Sequence, residues 1–147
     1  MKHRFHSAVL GIAAALLLAG QPAANAQGAE PKKLTPEELK DAMAKEPKPV
    51  FLDVREPKEL EDLGTLEGYT NIPLGELESR ISEVPKDRDV IIACNRAHRA
   101  GQAAKIFDGL GKKYIGVVAL REWKEKGYDL IYPKAPEKKE SSGKNNP

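Results

Sequence analysis

The chain has 147 residues, with 24 Lys and Arg against 22 Asp and Glu, three histidines and one cysteine. A single cysteine excludes an intramolecular disulfide and a C-x-x-C redox pair. A formal charge of only +2 gives no electrostatic footprint for nucleic acid or for a membrane surface.

The first 26 residues read as a leader. Lys2, His3, Arg4 and His6 make a basic start, Ala8 to Ala19 is almost wholly apolar, and Ala24-Asn25-Ala26 supplies a small-x-small cleavage pattern ahead of Gln27. The apolar run is shorter than the roughly 20 residues that span a bilayer. The residue directly after the cleavage point is Gln27, not the cysteine that would carry a lipid. The expectation is a periplasmic or secreted protein with no stable membrane insertion after cleavage. Losing Lys2 and Arg4 lowers the basic count from 24 to 22, equal to the acids, so the small positive charge belongs to the leader. His3 and His6 leave with it, and His98 becomes the one histidine of the mature chain. One Cys and one His cannot build a cysteine–histidine zinc site within a chain. Removing 26 of 147 residues leaves 121, enough for one domain with a single core.

Residues 27–33 form a polar lead-in. Thr35-Pro36-Glu37-Glu38 is a helix start, with Thr as N-cap, Pro at the first helical position and Glu placed for a capping box. Leu39, Ala42 and Met43 give that helix an apolar face, and Pro47 to Pro49 stop it. Val50-Phe51-Leu52-Asp53-Val54 is a strand, apolar but for Asp53, and a short helix over Pro57 to Leu63 follows. Gly64 and Gly68 mark loops around Thr65-Leu66, itself a candidate short strand. Asn71-Ile72-Pro73 leads into a helix near Leu74 to Ile81. The run Val90-Ile91-Ile92-Ala93 predicts a short buried strand. A helix is expected from about Arg99 to Leu110, with Gly111 as its C-terminal cap. Tyr114 to Val118 is a further strand, and Leu120 to Lys126 a helix carrying Trp123 as a core residue. The Lys-, Glu-, Ser- and Asn-rich residues 134–147 read as a disordered tail. Alternating strands and helices predict an α/β domain with a small, mostly parallel sheet and helices on both faces. Ligands bind such sheets at the carboxyl ends of the strands.

Cys94 lies at that edge, ending its strand before the cationic loop Asn95-Arg96-Ala97-His98-Arg99 and a helix start. Converging backbone N–H groups and the helix dipole favour an anion there, and Arg96 and Arg99 add to the field. A lone Cys ending an apolar strand is often only a small buried hydrophobe. The polar, cationic residues after Cys94 and the helix start that closes the loop point instead to a nucleophile.

Four blocks of the chain, over roughly Leu34 to Tyr132, resemble the rhodanese family of single-domain sulfurtransferases. Phe51-Leu52-Asp53-Val54-Arg55-Glu56 is similar to the family's L-I-D-V-R-E strand, and Gly64 to Pro73 to its G-H-I-x-G-A-x-N-I-P segment. Cys94 to Arg99 resembles the C-x4-R active-site loop, and Trp123 to Tyr128 the W-x-x-x-G-Y close. Order and spacing together make the match specific. The resemblance implies a rhodanese-like domain over residues 34–133, with Cys94 as a persulfide-forming catalytic residue. Asn95, Arg96, Ala97, His98 and Arg99 would bind substrate, with Asp53 and Arg55 in support. It implies a small anionic donor such as thiosulfate, a cyanide or thiol acceptor or else a protein sulfur acceptor, and no metal or organic cofactor.

Three positions depart from the family pattern. Ala97 stands where the loop has Gly, which tolerates backbone conformations that Ala does not. Ala100 stands where a Ser or Thr follows the loop arginine, and Val117-Val118-Ala119 replaces a glycine pair. Several roles remain open on sequence alone. Arg99 either binds the anion or ties the helix start to an acid such as Asp53 or Glu56. His98 is either a pH-sensitive cation or an exposed loop side chain. Asp53 and Arg55 read as a structural ion pair rather than an acid/base pair. Two rival functions share the scaffold: a weakly catalytic sulfur-carrier or protein-binding module, and a cysteine phosphatase or arsenate reductase-like enzyme. The rhodanese-like phosphatase loop is C-x5-R, one residue longer than the loop here.

Overall fold

A computed structural model describes residues 30–134. The proposed leader and most of the tail lie outside these residues. Helix α1 (Pro36–Met43) opens with the full capping box: the Thr35 side chain accepts from the Glu38 N–H, and the Glu38 side chain accepts from the Thr35 N–H. Then follow β1 (Val50–Asp53), α2 (Pro57–Leu63), β2 (Tyr69–Asn71), α3 (Leu77–Arg80), β3 (Val90–Cys94), α4 (His98–Gly109), β4 (Gly116–Ala119) and α5 (Leu120–Glu125). The four strands form one parallel sheet in the order β2-β1-β3-β4.

Alternation along β3 divides the core between the two faces of the sheet. Val90, Ile92 and Cys94 pack with Leu77 of α3 and with Ala100, Ala103, Ala104 and Phe107 of α4. Ile91 and Ala93 pack with Leu39 and Ala42 of α1 and with Leu120 and Trp123 of α5. Because β1 and β3 are covered on both faces, they read as continuous apolar runs. Gly111, at φ +63°, closes α4 as expected: its N–H and that of Lys112 return to Asp108 and Phe107 carbonyls.

The structure differs from the sequence expectation in three places. Tyr69–Asn71, expected as loop, is the edge strand β2, whereas Thr65 makes only an isolated antiparallel bridge to Ile131. Three half-buried residues are too few to show a strand period. The helix expected over Leu74 to Ile81 contains only one α turn, α3, between two 3₁₀ segments, Leu74–Glu76 and Ile81–Glu83. The end of the lead-in also joins the sheet. Leu34 N–H donates to Val117 O at 2.9 Å, and Val117 N–H donates to Lys32 O at 2.8 Å, so Lys33 pairs alongside β4. Leu34 lies flush over Gly116, where an added Cβ would come within 2.6 Å of Leu34 Cγ.

Candidate active site

The strand register gathers the predicted site. Asp53 of β1 lies opposite Asn71 and Ala93, and Cys94 of β3 lies opposite Ala119 of β4. All are at the carboxyl edge. Cys94 is 1% exposed and on the α4 side of the sheet. The chain after it turns through Asn95 and Arg96 to Ala97, whose φ of +66° and ψ of −13° put an alanine in the left-handed region. That conformation serves as the N-cap of α4. The Gly101 N–H closes the first turn on Ala97 O at 2.8 Å, and the Ala100 N–H, without a helical partner so near the terminus, donates to Cys94 Sγ at 3.3 Å. The thiol therefore sits on the N-terminus of a twelve-residue helix, at the positive end of its dipole.

Side chains of the loop divide by environment. Arg96 and His98 are exposed, and Asn95, Ala97 and Arg99 are half-buried. Arg99 ties the helix start to an acid, one of the two alternatives the sequence left open, but the acid is neither Asp53 nor Glu56. Arg99 holds Glu59 of α2 in a two-pronged ion pair, with Nη2 to Oε1 at 2.7 Å and Nη1 to the other oxygen. This bond holds the Glu59 carboxyl below the ordinary carboxylate range and raises Arg99. Asp53 is not free to take Arg99, because Arg55 occupies it.

Asp53 and Arg55 are each 1% exposed. Arg55 Nε donates to Asp53 Oδ1 at 2.9 Å and Nη2 to Oδ2 at 2.6 Å, while the Thr65 hydroxyl donates to Oδ2 at 2.8 Å. Arg55 Nη2 also donates to Gly64 O at 2.7 Å. Asn71 Nδ2 donates to the Asp53 and Arg55 carbonyls at 2.9 and 2.8 Å. This network fixes the exit of β1 beside the Cys94 loop, so the pair is structural. Thr65, Asn71 and Glu59 were not singled out from sequence as site residues. Their signal lay in the motif blocks, but their roles depend on contacts between distant segments.

The departures from the family pattern are accommodated. Ala97 adopts the left-handed turn despite its Cβ, Ala100 is buried against the core, and Val117 and Val118 continue β4 with side chains on opposite faces. Trp123 is in the core as expected, its ring 4.2 Å from that of Tyr128 and its Nε1 donating to Asp129 O at 2.9 Å. Beside the loop lies a cavity of about 250 Å³ whose walls include Asn95, Arg96, Arg121 and Lys124. Among the described residues no cluster of three or more His, Cys, Asp or Glu could hold a metal ion, and no helix is long and apolar enough to cross a membrane.

Fold and site together define a parallel α/β domain that seats a single thiol in a loop of helix-terminal amides. The family model for the rhodanese-like domain matches residues 35–126, and the chain belongs to that family. It is 31% identical over 101 residues to a sulfurtransferase of Allochromatium vinosum, spanning 66% of this chain and 92% of that one. It is 39% identical over 75 residues, half of this chain, to Bacillus subtilis YrkF, named as a candidate sulfur carrier protein, of which the match spans 40%. Among solved structures, a rhodanese-related protein from Thermoplasma volcanium superposes with a TM-score of 0.62 at 25% identity, covering 69% of this chain and 99% of that one.

Proposed function

We propose that this protein is a sulfurtransferase in which Cys94 carries the sulfur as a persulfide. The observation that carries this reading is the Ala100 N–H bonded to Cys94 Sγ at the α4 N-terminus, within a loop of four residues between Cys94 and Arg99. Family membership and the similarity to a sulfurtransferase support the transfer of sulfur. With thiosulfate as donor, the Cys94 thiolate attacks the outer sulfur. The S–S bond of thiosulfate breaks, its electron pair leaves with sulfite, and the new S–S bond makes the Cys94 persulfide. Cyanide or a thiolate then attacks the terminal sulfur, and the electron pair of the Cys94 S–S bond returns to Cys94. Neither step needs an external oxidant or reductant. Ala100 N–H and the neighbouring free amides of α4 hold the negative charge, and Asn95, Arg96 and His98 line the approach of the anion. Ala97 supplies the turn that aims those amides, and Arg99, braced by Glu59, fixes the far side of the loop.

A second reading, in which sulfur passes to a protein acceptor with little free turnover, is supported by the similarity to Bacillus subtilis YrkF, named as a candidate sulfur carrier. In either case we infer export to the periplasm or beyond, from the basic start, apolar run and Ala24-Asn25-Ala26. The test is the intact mass of the exported protein after incubation with thiosulfate, beside a Cys94→Ala control. A chain starting at Gln27 that gains one sulfur atom, absent in the control and removed by cyanide, is expected. Steady-state thiocyanate production distinguishes the enzyme from the carrier. Sulfur gained equally by Cys94→Ala, or by neither protein, would refute the assignment.

A further inference from the structure

We propose that Arg121 and Lys124 of α5, with Arg96 of the loop, form an anion subsite that holds the carboxylates of a small thiol or persulfide whose sulfur is at Cys94. This rests on the sulfur-transfer reading above and adds the class of acceptor or donor to it. Cys94 is paired in register with Ala119, so α5 begins one residue beyond its neighbour in the sheet. The Arg121 N–H donates to Asn95 O at 3.0 Å, which ties the first turn of α5 to the residue after the nucleophile. Between them lies the cavity of about 250 Å³, with Leu63, Leu120 and Leu130 as apolar walls and Arg96, Arg121 and Lys124 as cations, together with Arg55, whose guanidinium is already taken by Asp53.

No carboxylate lines this cavity. Arg96 and Lys124 make no ion pair among the described residues, and Arg121 meets Glu125 only through Nε at 2.7 Å, in an i,i+4 pair more than half exposed on both sides. Such an exposed pair is easily exchanged for a ligand. The volume is below the roughly 300 Å³ at which drug-sized pockets begin, so the occupant is small. By contrast, cavities at the opposite end of β3 mix lysines with Asp87, Asp89 and Asp108 and lie a strand's length from Cys94. A compact group of cations beside the loop that follows Cys94, with apolar walls between, fits a short-chain thiol bearing two carboxylates a few bonds from sulfur. Neutral thiols of the same size would use the walls alone.

The experiment compares mercaptosuccinate with 2-mercaptoethanol as acceptors for the thiosulfate-loaded full chain, at matched ionic strength. The ratio of their kcat/KM values should favour mercaptosuccinate and fall about tenfold in Arg121→Gln/Lys124→Gln, as expected for losing two partly exposed charge contacts. Lys86→Gln/Lys112→Gln, at the opposite edge, should leave the ratio unchanged. An unaltered ratio in the α5 variant, or an equal fall in the distant one, would overturn the proposal. Succinate titration followed by backbone amide shifts judges the subsite without sulfur transfer. Shifts centred on Asn95 and Leu130 that need about tenfold more succinate in the α5 variant support it. Shifts insensitive to that variant refute it, even if the wild-type chain fails to load sulfur and the transfer reading falls by itself.

Discussion

Replacing Arg55 with Met tests the account of the site's foundation. Arg55 and Asp53 are both 1% exposed, and Arg55 is among the largest fully buried side chains of the described residues. The substitution keeps much of the side-chain volume and removes four hydrogen bonds: Nε on both Asp53 carboxylate oxygens, Nη2 on Asp53 Oδ2 and Nη2 on Gly64 O. Asp53 is left with the Thr65 hydroxyl and the backbone N–H of residue 55, which do not neutralise a buried charge. Breaking one side of such a pair costs about 3–5 kcal/mol, a large share of the roughly 5–15 kcal/mol that holds a domain of this size folded. At about 4 °C per kcal/mol, the thermal midpoint should fall by roughly 12–20 °C. Urea unfolding should show a lower midpoint with an unchanged slope. Adding Asp53→Asn removes the stranded charge but keeps an acceptor for Thr65, so the double variant should recover at least about 1 kcal/mol of the loss. A loss under about 1 kcal/mol in Arg55→Met, or a double variant no better than the single one, would refute the view that the pair is held by mutual neutralisation.

Glu59→Gln removes the charge that braces Arg99 and should cost under about 1 kcal/mol, since both side chains are about one-third exposed. Glu59 is depressed below its ordinary 4.5 by the bond from Arg99, so the pair stabilises the fold above that pH and is lost as the pH falls through the lower folded value. The stability gap between wild type and Glu59→Gln, read from urea midpoints, should therefore close below about pH 4.5; a gap that persists in acid would show that the carboxylate is not its source. At residue 97 the expected order of stability is Gly, then Ala, then Val. Relief of a left-handed alanine is worth about 1–2 kcal/mol, offset by about 0.4–1 kcal/mol of unfolded-chain entropy and by loss of a partly buried methyl. Ala97→Gly should raise the thermal midpoint by a degree or two, and Ala97→Val, β-branched at positive φ, should lower it clearly; the reverse order would contradict the turn seen here.

Much of this was legible in the chain because the decisive signals are local. Thr35-Pro36 with Glu38 specifies a helix start by its own hydrogen bonds, and Val90 to Cys94 specifies a doubly covered strand by its unbroken apolar run. The Cys94 loop was legible for the same reason: thiol, cations and helix start are contiguous. What escaped depends on register and packing between distant segments. Tyr69–Asn71 becomes a strand only because β1 offers it an edge. Arg99 takes Glu59 rather than Asp53 because Arg55, two residues along from Asp53, has already taken it. The cationic wall on α5 exists because β3 and β4 pair Cys94 with Ala119, a fact that no local window contains.

The seating of Leu34 over Gly116 bears on how one edge of the sheet is closed. An unpaired strand edge is a template on which another chain can build, and β4 ends the sheet on one side. Lys32 and Leu34 occupy the Val117 backbone groups that such a template would offer, and the absence of a Cβ at Gly116 lets the Leu34 side chain lie close enough to be 7% exposed. A second molecule could extend the sheet at β4 only by peeling this segment away and turning Leu34 into water. The short run before α1 thus covers this stretch of the β4 edge, and the lysines at its start, Lys32 and Lys33, tie it down through ion pairs with Glu38 and Glu122.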